Sequence, residues 1–327
     1  NLTSPTVITR TVDYTAVRPA WRPRGEAPVL AALVREGRLP PVARRTGPEP
    51  VVMEGVDGVG RYGGTWQRLA NSFDDFKTIY WRLSGSNLVR WSPQGYPLVP
   101  HIAKSWTVSP DQRVYTFELR RGMRWSDGQP VTSDDLVYWY EHEIKYFNVQ
   151  PKFLRAGATQ GHVSKIDERH VRFEFVQPNP LFLERLASTG MNYEDHTEHI
   201  VPAHYLRPYH PALGDPEVVR LAMEAFELAS PVAVYKKIKH YMNPEHPRLW
   251  PWVLQTYNPT TPQILVRNPY YWVVDTHGNQ LPYLDRLVID IKTNNLIAAA
   301  AANGELSMQD RHIRYDDHTL LLSGAKR

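Results

Sequence analysis

The chain contains no cysteine. That one absence removes disulfides, thiolate zinc sites, iron–sulfur ligation and cysteine nucleophiles, and it leaves the redox compartment unread. Long apolar runs are also missing: the longest, residues 296–302, falls far short of the ~18 residues that cross a bilayer. The first residues, Asn1-Leu-Thr-Ser, show neither a charged region nor an apolar segment behind it, so an export leader is expected to have been removed already or never to have been present. No Gly-x-Gly-x-x-Gly or Walker pattern occurs, and Gly55-Val-Asp-Gly-Val-Gly lacks the strand-to-helix setting that a phosphate loop requires, so nucleotide chemistry is not expected. A Gly-x-Ser-x-Gly elbow is absent as well. Basic residues do not gather: 28 Arg and 10 Lys are spread along the chain with a formal net charge of only +4, whereas nucleic-acid binding calls for a stripe.

What is there describes a folded protein. Its 327 residues suggest about two domains at roughly 150 residues each, and 42% hydrophobic against 22% charged residues is an ordinary globular balance. Aromatics are in surplus, with 10 Trp and 18 Tyr, while 28 Pro and 19 Gly are scattered and so punctuate many short elements. Residues 1–50 read as a Pro- and Arg-rich arm with one short helix after Pro28. Strands are expected at Val51-Val-Met and Thr65-Trp-Gln-Arg-Leu, and the strict alternation of Val114-Tyr-Thr-Phe-Glu-Leu-Arg and Val171-Arg-Phe-Glu-Phe-Val gives each of those segments one buried face. Thr132 three residues before Asp135 starts an amphipathic helix over 133–147. Asp215-Pro216 starts another that runs to Phe226, strands return at Ile264-Leu-Val and Leu287-Val-Ile-Asp-Ile, and a last helix spans 295–304. The mixture implies a mixed α/β fold.

Three constellations invite chemistry. His196, His199, His204, His210, His240 and His246 are numerous, but their spacing fits no metal signature and Pro202 and Pro208 interrupt any helix that would align them. The pairs Asp74-Asp75, Asp134-Asp135 and Asp316-Asp317 do not supply two carboxylates facing each other across a cleft, because neighbours diverge by about 100° on a helix and point to opposite faces of a strand; each pair reads as a helix cap or turn. A carbohydrate-active enzyme with dispersed acids remains the alternative function. The tryptophans sit mostly in or beside turns, where a ring either plugs the core or faces a ligand.

Longer stretches carry a family resemblance. Pro97-Leu-Val-Pro-His-Ile-Ala-Lys-Ser-Trp and Tyr115-Thr-Phe-Glu-Leu-Arg-Arg-Gly-Met-Arg-Trp-Ser-Asp-Gly-Gln-Pro-Val-Thr-Ser-Asp-Asp-Leu resemble the N-terminal signature of family 5 extracellular solute-binding proteins, which serve bacterial ABC importers. His199-Ile-Val-Pro-Ala-His, the run from Arg267-Asn-Pro-Tyr-Tyr-Trp to Leu281-Pro-Tyr-Leu-Asp, and Gly304-Glu-Leu-Ser-Met-Gln agree in order. Ser307 replaces the family's usual Asp. With Leu39-Pro-Pro-Val and Tyr62-Gly-Gly-Thr, the form is similar to the branch of cellobiose-like oligosaccharide binders.

The resemblance implies a periplasmic-binding-protein-like fold (type II, family 5). Its first lobe would have a core of residues 51–72 and 190–294 and an inserted subdomain over 73–189, and a second lobe would begin at 295–327 and be largely absent. It implies capture of an oligosaccharide, or less readily an oligopeptide, by hinge closure outside the cytoplasm. The protein would be periplasmic or a lipid-anchored lipoprotein, a monomer delivering its solute to permease subunits, with no catalysis, cofactor, metal or nucleic acid. One lobe offers half a clamp, so the chain alone is expected to bind weakly or not at all. Ligand-facing candidates are Asn71, Phe73, Asp74 and Trp81, with Trp250, Trp252 and Tyr257. Alternation on a strand would set Trp250 and Trp252 side by side as a stacking wall.

Overall fold

The computed structural model describes residues 22–55, 57–188, 198–257 and 259–324. In chain order its helices are α1 (Pro28–Arg35), α2 (Val42–Thr46), α3 (Phe73–Leu83), α4 (Ser133–Tyr138), α5 (Phe182–Ala187), α6 (Ala203–Leu206), α7 (Pro216–Ala225), α8 (Pro231–Lys239), α9 (Asn294–Ala302) and α10 (His318–Gly324). The strands are β1 (Val51–Met53), β2 (Thr65–Ala70), β3 (Val89–Trp91), β4 (Leu98–Pro100), β5 (Ala103–Val108), β6 (Val114–Leu119), β7 (Arg155–Ala156), β8 (Thr159–Gln160), β9 (His162–Lys165), β10 (His170–Glu174), β11 (Trp252–Leu254), β12 (Gln263–Arg267), β13 (Val273–Asp275) and β14 (Arg286–Ile291).

They form two compact units, each assembled from three chain segments. Unit 1 takes Asn1–Arg61, Ser86–Ala203 and Pro269–Tyr283; unit 2 takes Tyr62–Gly85, His204–Asn268 and Leu284–Arg327. This division departs from the expected boundaries. Residues 73–85 belong with the β2 sheet, residues 51–61 and 269–283 belong to unit 1 through the parallel pairing of β1 with β13, and residues 295–324 pack on the β2 sheet, where Leu306 and Ile313 cover the cluster of Leu69, Ile297 and Ala300.

Unit 1 is built on the antiparallel sheet β5-β6-β10-β9. The alternation in β6 and β10 does what the sequence foretells: Tyr115, Phe117, Leu119, Val171 and Phe173 are buried while their neighbours are half-exposed. Phe117 meets Phe173 edge-on with ring centres 5.5 Å apart, and Phe182 of α5 closes over both. Thr132 caps α4 in a full capping box with Asp135. Asp135 also accepts the Trp125 indole N–H at 3.1 Å and the Ala203 N–H at 3.1 Å, so one carboxylate ties the helix start to the preceding hairpin and to the chain's exit from the unit. Beyond Tyr138 the helix widens to a π-helix over Trp139–Lys145. The expected 133–147 helix is thus continuous in space but changes its winding, and Trp139, Tyr140, Glu143 and Ile144 all turn inward.

Gly122, inside the quoted Arg-Arg-Gly-Met-Arg-Trp run, has φ +75°, and a Cβ there would stand 2.9 Å from Gly47 Cα, itself at φ +74°. Two backbones pass at a distance that only glycine permits at both positions.

Unit 2 holds the sheet β11-β12-β14-β2, in which β2 and β14 run parallel and the other pairs antiparallel. One face carries Leu265, Leu287 and Ile289, all fully buried; Tyr80 of α3 reaches Gln263 of β12 with its hydroxyl at 3.4 Å and packs against the rings of Tyr241 and Trp250. On the other face Leu69 packs on α9. The outer edge of β2 is occupied by residues 307–309. Ser307 N–H donates to Gln67 O at 3.2 Å and its hydroxyl accepts the Gln67 N–H at 3.1 Å, while Gln309 bonds both the N–H and the C=O of Leu69 at 3.1 and 3.0 Å. The Ser307 hydroxyl therefore works as a backbone mimic on the edge of β2.

Helix α7 starts as expected, with the Asp215 side chain accepting the Glu217 N–H at 2.8 Å and Pro216 in its first turn. Its buried face is Val219 and Ala222; Leu221 is 50% exposed.

Candidate functional site

In open α/β sheets, ligands settle outside the carboxyl ends of the parallel strands. The registers of unit 2 define that end. Ala70 pairs with Ile291 at the close of β2 and β14, Gln263 opens β12 opposite Ile289, and β11 ends at Leu254 opposite Leu265. Residues 71–75, the loop 255–262 and residues 292–294 consequently emerge at the same end of the sheet.

The first of these segments is held from below. Asp75, in the first turn of α3, accepts the Asn71 N–H at 3.3 Å, receives His312 Nε2 at 2.7 Å and pairs with Arg311 Nε at 2.7 Å. Its side chain is only 2% exposed, and three polar partners offset the loss of hydration. Asn71 Nδ2 also reaches His312 Nδ1 at 3.5 Å. Beside this clamp Asp310 pairs with both Arg68 and Arg82. Burial, reinforced by the nearby charge of Arg82, lowers the Arg68 pKa from its ordinary value. The Asn71–Asp74 turn thus rests on a charged knot contributed by residues 310–312.

Above the clamp Asn71, Ser72, Phe73 and Asp74 are exposed. Phe73, 37% exposed, leans edge-on against buried Phe76 at 5.4 Å. Tyr257, 57% exposed, lies in the loop at the same end of the sheet and donates its hydroxyl proton to Glu245; that bond raises the Tyr257 pKa. The rim therefore presents one amide, one carboxylate, an aromatic edge and a tyrosine ring, a set able to hold polar groups and cover an apolar face.

The remaining candidates lie elsewhere. Trp250 is 1% exposed, stacked on Tyr80 with ring centres 6.4 Å apart and beneath the Arg248 guanidinium at 4.7 Å. It is core. Trp252 begins β11 at the opposite end of the sheet from the rim, donates its indole N–H to Leu284 O at 3.3 Å and meets Trp66 edge-on at 6.3 Å. The stacking wall does not form, because the strand begins only at Trp252 and Trp250 is drawn under α3. Trp81, on the third turn of α3, is half-buried among unit 2's packing.

Sequence reasoning read Asp75 only as part of a cap or turn and missed its partners Arg311 and His312. Their only local signal is the acidic start of α3, since their partners lie 237 residues apart for Asp75 and His312.

The acidic pairs all sit at helix N-termini: Asp75 in α3, Asp135 in the box of α4, and Asp317 accepting the Arg314 N–H at 2.7 Å in the first turn of a short 3₁₀ helix. Nothing here favours the hydrolase alternative. Among the described residues no group of three or more His, Asp or Glu is placed to hold a metal. The histidines serve the fold. His199 Nε2 accepts the Leu88 N–H at 3.2 Å, His210 Nδ1 accepts the Ala212 N–H at 3.1 Å, and His246, buried, points Nδ1 at Pro247 O at 2.9 Å. His196 lies outside the described residues.

Comparison with known proteins converges on one group. The sequence model described as bacterial extracellular solute-binding proteins, family 5 middle, matches residues 97–318. A periplasmic alpha-galactoside-binding protein of Rhizobium meliloti is 29% identical across 90% of this chain and 43% of its own length. A probable ABC transporter-binding protein of Deinococcus radiodurans is 25% identical across 75% of this chain and 38% of its own length. Among solved structures, an oligopeptide-binding protein OppA superposes with a TM-score of 0.86 at 35% identity, covering 96% of this chain and 49% of that one. The periplasmic binding protein MelB of Agrobacterium fabrum, in complex with stachyose, does so at 0.73 and 25% identity, covering 95% of this chain and 46% of that one. The chain spans less than half the length of the curated relatives it matches.

Proposed function

The chain belongs to the bacterial extracellular solute-binding proteins of family 5, and from that premise we propose that it is part of the receptor of an ABC importer, capturing an oligosaccharide outside the cytoplasm and passing it unaltered to the permease subunits. The family binds solutes rather than transforming them, and the mixed α/β fold is that of family 5 periplasmic binding proteins. The observation that carries the reading is the rim at the carboxyl end of β2 and β14, where Asn71, Phe73, Asp74 and Tyr257 are exposed on a loop fixed by Asp75. Polar groups held rigid before the ligand arrives lose little entropy on binding.

Oligosaccharide is preferred over oligopeptide because the rim pairs ring faces with an amide and a carboxylate, and because two of the similar proteins bear the words alpha-galactoside and stachyose; OppA supports the peptide side. In this reading the receptor acts as a monomer, free in the periplasm or lipid-anchored, and closes by a hinge around its solute. This chain contributes one wall of that clamp and binds weakly by itself. Calorimetric titration of a full-length receptor carrying the chain tests the proposal with stachyose, cello-oligosaccharides and short peptides. Saturable heat with an oligosaccharide is the expected result, and binding of peptides alone would overturn it.

A further inference from the structure

Unit 2 holds a second concavity, about 810 Å³ in volume, on the helical excursion between α6 and the loop after β11. We propose that it is a binding site for a small carboxylate with an aromatic or branched apolar body, distinct from the Asn71–Asp74 turn, sharing Tyr257 alone with the rim, and independent of the transport reading.

The walls decide the body. Phe226 at the end of α7, Leu228, Met242, Tyr205 and Tyr209 supply an apolar lining large enough for one small organic molecule, since ligand cavities run from about 300 to 1,000 Å³. The polar atoms decide the head group, because most of the neutral ones are already spent. Asn243 Nδ2 donates to Tyr205 Oη at 3.0 Å and to Ile238 O at 2.7 Å, while its Oδ1 accepts the Glu245 N–H at 3.1 Å. The Glu245 carboxylate is engaged by Tyr257. A sugar, which needs several open donors and acceptors in one plane, finds few here.

Two ammonium groups remain. Lys236 and Lys237 line the pocket, are exposed, and make no ion pair among the described residues; Lys237 Nζ stands over the Phe226 ring at 5.1 Å. Tyr205 accepts from Asn243 and so keeps its own proton to donate. Burial pushes its pKa up to about 12, which holds that proton in place at neutral pH. An anion entering head-outward would meet the two exposed cations and bury its apolar body behind them along a lining that includes the Tyr205 phenol, a charge-assisted arrangement about twice as strong as a neutral one.

Isothermal titration and ligand-observed NMR on the chain, with phenylbutyrate and its neutral amide as probes, test this. The acid is expected to bind saturably and about tenfold more tightly than the amide. The double variant Lys236→Gln, Lys237→Gln should bring the acid down to the amide's affinity with an unchanged circular dichroism spectrum, and Leu228→Trp, which fills the cavity, should abolish both. Equal affinity of acid and amide for the parent chain, no saturable binding of either, or binding untouched by both variants would each overturn the site.

Discussion

His312 Nε2 lies 2.7 Å from Asp75 Oδ2, and with the Arg311–Asp75 pair beside it this contact joins the first turn of α3 to a segment 237 residues away. It sets the Asn71–Asp74 turn at the carboxyl end of β2. Asp75 acts as an anchor with its side chain turned inward, while Asp74, its neighbour, faces solvent.

Replacing Asp75 by Ala removes three partners at once and strands Arg311 and His312. Loss of about 3 kcal/mol is expected, the usual cost of deleting one member of a buried charged network. Urea unfolding monitored by tryptophan fluorescence measures it. Asp74→Ala, exposed and outside the knot, should change stability by less than about 0.5 kcal/mol.

Stability should fall as pH drops from about 7 to about 5.5. His101, buried against Trp272 with ring centres 4.7 Å apart, is held well below its ordinary pKa by burial and by the charge of Arg90; His246 is held down by burial and by Arg248. Both are neutral when folded and take up a proton when unfolded near the ordinary value of about 6.5. Their contribution is therefore complete above that value and is lost as pH descends through it, with a slope approaching about 1.4 kcal/mol per pH unit for each. One histidine lies in each unit, so both should weaken. Denaturant midpoints that do not move across this window would refute the assignment.

Gly122→Ala should cost about 2 kcal/mol or more, because the added methyl meets the Gly47 backbone at 2.9 Å and the residue must hold φ +75°. Gly37→Ala carries only the conformational penalty, as nothing lies within 4 Å of its Cβ position. Thermal melts of the two variants separate the contributions.

For solute capture, Asn71→Ala in a full-length receptor should lower affinity about fivefold, the worth of one hydrogen bond near 1 kcal/mol. Trp252→Ala should leave affinity unchanged while lowering the melting temperature, since its ring packs on Trp66 away from the rim. Calorimetry and melting curves on the same samples read both quantities.

Much of unit 1 is legible in the residues themselves. The alternation of β6 and β10 and the Thr132 cap appear where local chemistry demands them, as does the Asp215-Pro216 start of α7 in unit 2. What eludes local reading is long-range. The three-segment make-up of each unit follows from the parallel pairings of β1 with β13 and of β2 with β14, and nothing in a strand's own residues names a partner more than 200 positions away. At α3 the pair Asp74-Asp75 reads as a cap or turn and does sit in the first turn of the helix, but the partners that Asp75 finds in Arg311 and His312 leave no local trace. The π-helix at Trp139–Lys145 likewise departs from the 3.6-residue period on which such readings rest. The Trp250–Trp252 spacing suits a strand that extends over both, and packing against Tyr80 overrides it.

The backbone N–H of Ser307 and the side chains of Ser307 and Gln309 complete β2 as a further strand would, with the side chains taking most of the places a backbone ladder would fill. An incoming chain seeking to extend the sheet from that side would have to displace five hydrogen bonds before forming its first, which guards this margin against intermolecular strand pairing and the aggregation it seeds.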